Sequence, residues 1–188
     1  MPEYSPIEGT LMNIDIILVS RALDYAAKKH VSQRRKGVAQ EPYINHLAEV
    51  AYLLAEATAG QDTNLVIAGL LHDCIEDQSV THAELVELFG ADVADLVRDV
   101  TDDKTLLKAE RKRLQVEHAP HKSDRARMLK IADKTSNLRA LVVSPPNGWD
   151  AQRIRDYYAW AQAVVAGCRG VSAFLEAKFD EAWRNGQT

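Results

Sequence analysis

The sequence predicts an all-α fold, a single-domain helical bundle, and three observations carry that prediction. Apolar residues recur at intervals of three and four over most of the chain, as one buried face of a helix requires. No run alternates apolar and polar residues in the manner of a half-buried strand, and no internal repeat is present. The interruptions, such as Gly60-Gln61-Asp62, Gly90 and Ser144-Pro145-Pro146-Asn147-Gly148, carry the residues that start and stop helices.

Met1 to Met12 has no periodicity and reads as a lead-in, leaving 13–188 as the domain. Asn13 is a suitable N-cap for a first helix to about Lys29, with Ile14, Ile17, Leu18 and Tyr25 as its stripe. A basic turn, Arg34-Arg35-Lys36-Gly37, leads to Pro42, which blocks helix, and to Asn45, which can cap the next one. That helix reaches about Ala59, with Leu47, Val50, Ala51 and Leu54 inward and His46 in its first turn. Leu65, Val66, Ile67, Leu70 and Leu71 then mark a buried helix that ends in His72-Asp73-Cys74-Ile75-Glu76-Asp77. If the helix continues, Glu76 stacks one turn beyond His72 and Asp77 one turn beyond Asp73.

Thr81-His82-Ala83-Glu84 matches a capping box, followed by inward Leu85 and Leu88 and a stop at Gly90. Val93, Leu96, Val97 and Val100 form the next stripe. Lys108 to His118 is too densely charged to be buried. Ser123-Asp124 opens a helix through Val142 that embeds Asp133 among Leu129, Ile131, Ala132 and Leu138, and two helices over about Ala151 to Cys168 and Val171 to Trp183 close the chain.

Composition narrows the function classes. A formal net charge of -4 argues against wholesale binding to nucleic acid or anionic membrane, so an anionic substrate must be met by a local basic patch. The two cysteines, Cys74 and Cys168, lack CxxC spacing and read as reduced core residues. No secretory segment or apolar run of about 20 residues is found, which predicts a cytoplasmic address. The residues leave the oligomeric state open between monomer and homodimer.

His46, His72, Asp73 and Asp133 lie on three separate helices, each flanked by core residues, and read as four ligands to one divalent cation. Two imidazoles and two carboxylates suit manganese, iron or zinc better than a structural thiolate site would. Glu76 and Asp77, next in line, are candidates to orient or deprotonate a water. Arg35 and Lys36, just before the His46 helix, are placed to meet phosphate, arginine as a bidentate clamp and lysine as a point charge.

The motifs Gln33-Arg34-Arg35-Lys36, Pro42-Tyr43-Ile44-Asn45-His46, Leu71-His72-Asp73 with Glu76-Asp77, Phe89-Gly90, Thr101-Asp102-Asp103-Lys104, Glu110-Arg111-Lys112-Arg113 and Ala132-Asp133-Lys134 with Asn137-Leu138 occur in order over about residues 22–167. In them the chain resembles the HD-domain hydrolases of the RelA/SpoT alarmone family, above all their small, hydrolase-only metazoan members. The resemblance implies an HD-type bundle and manganese-dependent removal of the 3′-diphosphate of ppGpp or pppGpp. It implies His46, His72, Asp73 and Asp133 as metal ligands, Glu76 and Asp77 as catalytic carboxylates, and Lys108, Arg153 and Tyr157 as further substrate contacts. Asn137, one turn after Asp133, points to the same cavity. Lys104, Arg111, Lys112 and Arg113 are weaker phosphate candidates. NADPH, nucleoside monophosphates and a non-catalytic regulatory role stand as alternatives.

The chain departs from the family pattern at Thr135-Ser136, where Leu followed by Tyr or His is usual, and a small Ser136 is expected to widen the base pocket. His30, His82, His118 and His121 read as surface residues without carboxylate partners, and Trp149, Trp160 and Trp183 as packing anchors.

Overall fold

The computed structural model describes residues 15–187, which form ten α-helices and a short 3₁₀ turn, with only two isolated β-bridges among them. The helices are α1 Ile16–Lys29, α2 Ile44–Ala57, α3 Thr63–Leu71, α4 Cys74–Gln78, α5 His82–Phe89, α6 Ala91–Val100, α7 Lys108–His118, α8 Asp124–Val143, α9 Ala151–Cys168 and α10 Ala173–Asn185. The lead-in and the expected cap at Asn13 lie outside the described residues; Asp15 caps α1 by accepting from the Leu18 N–H at 3.0 Å. Ile17 is exposed, and the inward face of α1 runs instead through Leu18, Ala22, Tyr25 and Ala26.

Several boundaries follow from caps. Asp62 accepts from Leu65 N–H to start α3, Thr81 from Glu84 N–H to start α5, and Ser123 from Ala126 N–H to start α8. Asn45 does not cap α2: Tyr43 occupies the cap position without a side-chain bond, because its hydroxyl is committed to Asp73. α2 ends at Ala57, two residues early, and α10 begins two residues late, where Ser172 caps it.

The core is centred on α3, which packs on α2, α1 and α6. Leu65, Ile67, Ala68 and Leu71 are fully buried, and each such leucine or isoleucine contributes about 1.5–3 kcal/mol of apolar transfer. Gly69 lets α3 press against α2: a Cβ there would meet Leu54 Cδ1 at 2.8 Å and the Ala51 Cα at 3.2 Å. The long α8 runs against α2 on one side and α9 and α10 on the other, which brings Asp133 opposite His46. Cys74 and Cys168 are buried and unpaired with each other, as expected of core thiols. No helix among the described residues is long and apolar enough to cross a membrane.

Candidate metal centre and anion pocket

The helix carrying Leu65 to Leu71 does not continue through the charged stretch. It stops at His72, Asp73 turns the backbone with φ -100° and ψ 0°, and the separate one-turn α4 follows. The reason is local: the His72 Nδ1 lies 2.8 Å from the carbonyl oxygen of Gly69, and the turn swings Asp73 beside its own histidine. A carbonyl only accepts, so Nδ1 carries a proton, and in the neutral ring Nε2 is the nitrogen whose lone pair faces inward.

Three elements converge on that point. His46, from the first turn of α2, places Nε2 3.4 Å from Asp133 Oδ1 and 3.8 Å from Asp73 Oδ2. His72 Nε2 lies 3.2 Å from Asp73 Oδ2 and 3.9 Å from Asp133 Oδ1. One donor atom each from His46, His72 and Asp133 falls within 4.8 Å of the others, and Asp73 stands beside both imidazoles. The His72 Nε2 is buried without a well-aligned hydrogen bond, an orphan that a cation among these donors would satisfy. The donor set fits a divalent metal.

Electrostatics in the protein alone match this arrangement. Burial pulls His72 downward, but Asp73 prevails and pushes its pKa up to about 9. His46 is lowered by burial and stays neutral. Burial opposes ionisation of Asp133, yet the Lys134 ammonium at 2.8 Å, with His46 and His72, holds it well below the usual carboxylate range. Tyr43 donates to Asp73 at 2.6 Å and Asn137 to Asp133 at 2.6 Å, so both carboxylates have fixed orientations.

Tyr43 and Asn137 also line the inner wall of a cavity of about 520 Å³. Asp77 lines it too, hydrogen-bonded to Gln33 at 2.8 Å and paired with Lys104. Glu76, partly buried and not itself lining the cavity, lies 3.4 Å from the cavity-lining Arg111, and burial together with Asp73, Asp102 and Asp77 raises its pKa. Arg35, Lys36, Lys108 and Arg153 line the cavity, as does Tyr157, and Arg35 donates to Asn137 at 3.2 Å. The cations crowd one another: burial, then Lys36, Arg153 and Arg111, lower the pKa of Lys108. Gly37 joins the basic turn to the end of α8, where a Cβ would lie 2.1 Å from the Ser144 carbonyl oxygen.

Other expectations are corrected. Ser136 does not border the cavity; it is 1% exposed and sits behind His46, while Thr135 is buried and bonds back to Ile131. Trp149 and Trp160 pack against the core as expected and line the cavity as well, Trp149 beneath the Arg153 guanidinium at 4.6 Å and Trp160 beneath Lys112 at 4.4 Å. Arg111 and Lys112 line it as well, whereas Arg113 is spent on Glu110 and Glu117 outside. His30 is buried, stacked on Tyr43 at 5.3 Å and bonded to Gln33, and His82 pairs with Asp95 at 2.8 Å. The signal for Arg111 and Lys112 was available: with a period near 3.6, α7 turns Lys108, Arg111, Lys112 and Gln115 to one side, and all four line the cavity.

The profile of the HD domain family matches residues 22–161. The chain belongs to the HD-domain family. Within it, the chain is 48% identical over 169 residues to a Xenopus tropicalis protein named guanosine-3′,5′-bis(diphosphate) 3′-pyrophosphohydrolase MESH1, covering 90% of this chain and 94% of that one. The Homo sapiens protein of the same name is 49% identical over 155 residues, covering 82% and 87%. Among solved structures, a chain described as a metazoan ortholog of SpoT that hydrolyzes ppGpp superposes with a TM-score of 0.86 at 44% identity, over 94% of this chain and 97% of that one. A Listeria monocytogenes crystal structure aligns with a TM-score of 0.62 at 30% identity, over 78% and 96%.

Proposed function

We propose that this protein is a metal-dependent guanosine-3′,5′-bis(diphosphate) 3′-pyrophosphohydrolase, taking ppGpp or pppGpp and water to GDP or GTP and pyrophosphate. The observation that carries the reading is the set of six cavity cations, Arg34, Arg35, Lys36, Lys108, Lys112 and Arg153, that have no ion pair among the described residues and share the cavity with Tyr43 and Asn137, the residues bonded to Asp73 and Asp133. Mutually repelling cations are stabilised by a polyanion, and a nucleotide with two diphosphates supplies one. The relatives' printed names support the same substrate.

His46, His72, Asp73 and Asp133 hold the divalent ion, for which manganese is our choice from the two-imidazole, two-carboxylate set. The ion supplies Lewis acidity, neutralising phosphoryl charge and making water more acidic. Arg35 and Lys36 fix the reacting diphosphate, Arg35 also steadying Asn137 and through it Asp133. Lys108 and Arg153 hold the remaining phosphates, and Tyr157, tilted against Trp149 at 5.7 Å and Trp160 at 5.2 Å, packs the nucleoside side. Glu76 and Asp77 orient the attacking water and accept its proton; burial and the neighbouring Asp73, Asp102 and Asp77, which raise the pKa of Glu76, make it the more basic for it.

The test is direct. Purified protein with manganese is incubated separately with ppGpp, pppGpp, NADPH and deoxynucleoside monophosphates, and the released phosphate species are separated. Pyrophosphate from ppGpp is expected; intact ppGpp beside orthophosphate released from NADPH or a monophosphate overturns the substrate assignment.

A further inference from the structure

Behind His46, on the side away from the cation cluster, lies a short chain of side chains that the reaction does not require. His46 Nδ1 is 2.8 Å from Ser136 Oγ, Ser136 Oγ is 2.6 Å from Glu49 Oε2, and Arg139 donates to Glu49 Oε1 at 2.9 Å. His46 and Ser136 are almost wholly buried, at 3% and 1% exposed, which shields the bond between them from water, while Glu49 and Arg139 reach the surface. Proton counting sets the direction. A serine hydroxyl has one hydrogen, and Glu49, facing Arg139, is an acceptor that takes it. Ser136 Oγ therefore has only lone pairs left for His46, so Nδ1 must carry the ring proton and Nε2 must be the bare nitrogen, which lies 3.4 Å from Asp133 Oδ1.

We propose that Ser136 and Glu49 are positioning residues that lock the tautomer and ring orientation of His46, holding its Nε2 lone pair ready for the divalent cation. The inference rests on His46 being a ligand. His72 has the same tautomer fixed by a backbone carbonyl, which no substitution removes; His46 depends on two side chains, Ser136 and Glu49. Partners of this kind orient ligating histidines generally, and losing one weakens metal affinity roughly 10- to 100-fold.

The experiment uses the full chain and reads manganese affinity by calorimetry and the His46 tautomer by ¹⁵N-resolved imidazole NMR on ion-free protein. Ser136→Ala is expected to weaken manganese binding at least about tenfold and to leave His46 a mixture of tautomers. Ser136→Thr, which keeps the hydroxyl, should stay within about twofold of the parent, on that same scale. Glu49→Ala, which frees the serine proton to turn toward His46, should weaken binding, and the double Ser136→Ala/Glu49→Ala variant should be no worse than Ser136→Ala alone, since both act through one path. Parental affinity with the Nδ1–H tautomer intact in Ser136→Ala overturns the lock, as does a Ser136→Thr loss equal to that of Ser136→Ala. His46→Ala separates the two levels. If it abolishes manganese binding while Ser136→Ala keeps the parental affinity, the lock alone fails; if it leaves binding unchanged, the ligand assignment falls and the lock with it.

Discussion

The inner end and the mouth of the cavity hold charge in opposite ways. At the inner end the side chains are short, buried and each fastened by a second partner: His72 by Gly69, Asp73 by Tyr43, His46 by Ser136, Asp133 by Asn137 and Lys134. At the mouth they are long cations, most of them without carboxylate partners, some lying over rings, as Arg153 over Trp149 and Lys112 over Trp160. A cation and a reacting water need geometry fixed in advance, which short side chains with locked rotamers supply. A polyphosphate needs neutralisation more than registry, and flexible side chains adapt to it. Removing one inner group thus leaves a buried charge uncompensated, whereas removing one mouth cation leaves several others.

The contrast is broken most severely at Asp73. Asp73→Ala is expected to reduce activity to background and manganese affinity by at least about 100-fold, measured by calorimetry and pyrophosphate release; a fully active variant would show the inner end to be no centre at all. Glu76→Ala should lower turnover roughly 100- to 10,000-fold while keeping manganese affinity, and loss of the ion instead would move Glu76 into the ligand set. At the mouth, Arg35→Ala should raise KM about tenfold or more and lower kcat less, because its bonds to phosphate form already in the ground state. An unchanged KM removes Arg35 from the clamp.

The smallest effect sharpens the inner end by pH. His72, raised to about 9 against an unfolded value near 6.5, contributes stability to the ion-free protein that is full below pH 6.5 and lost as pH rises toward 9. With manganese bound the imidazole is neutral and this dependence disappears, so the melting temperature gap between loaded and ion-free protein should widen from pH 6.5 to 9. At pH 7.5 manganese binding should release about one proton, read as acidification of a weakly buffered solution; no release contradicts the raised pKa.

Much of this was legible in the chain. The 3.6-residue periodicity places His46, His72 and Asp133 on inward faces, and a charged group on such a face needs a partner, so a convergent cluster follows from the pattern alone. What was not legible depends on direction. The break at His72-Asp73 is invisible to periodicity, because the histidine reaches back to a backbone carbonyl. Ser136 looks like a cavity residue by its nearness to Asp133 and Asn137, but the helix turns it 100° per residue away from the latter, toward His46 and Glu49. Trp149 and Trp160 read as packing anchors, and their second role as cavity wall appears only when the helices pack and set their faces beneath Arg153 and Lys112.

By itself, then, the order of residues determined an all-helical bundle, a buried His/Asp set and a local excess of cations in a chain of net charge -4, since helix period, capping chemistry and the penalty on unpaired buried charge act over a few residues at a time. Which nitrogen of His46 is bare, which carboxylate is sheltered and which cations share one cavity were decided only when α2, α3, α7, α8 and α9 closed on one another, because those properties belong to distances between segments remote in the chain.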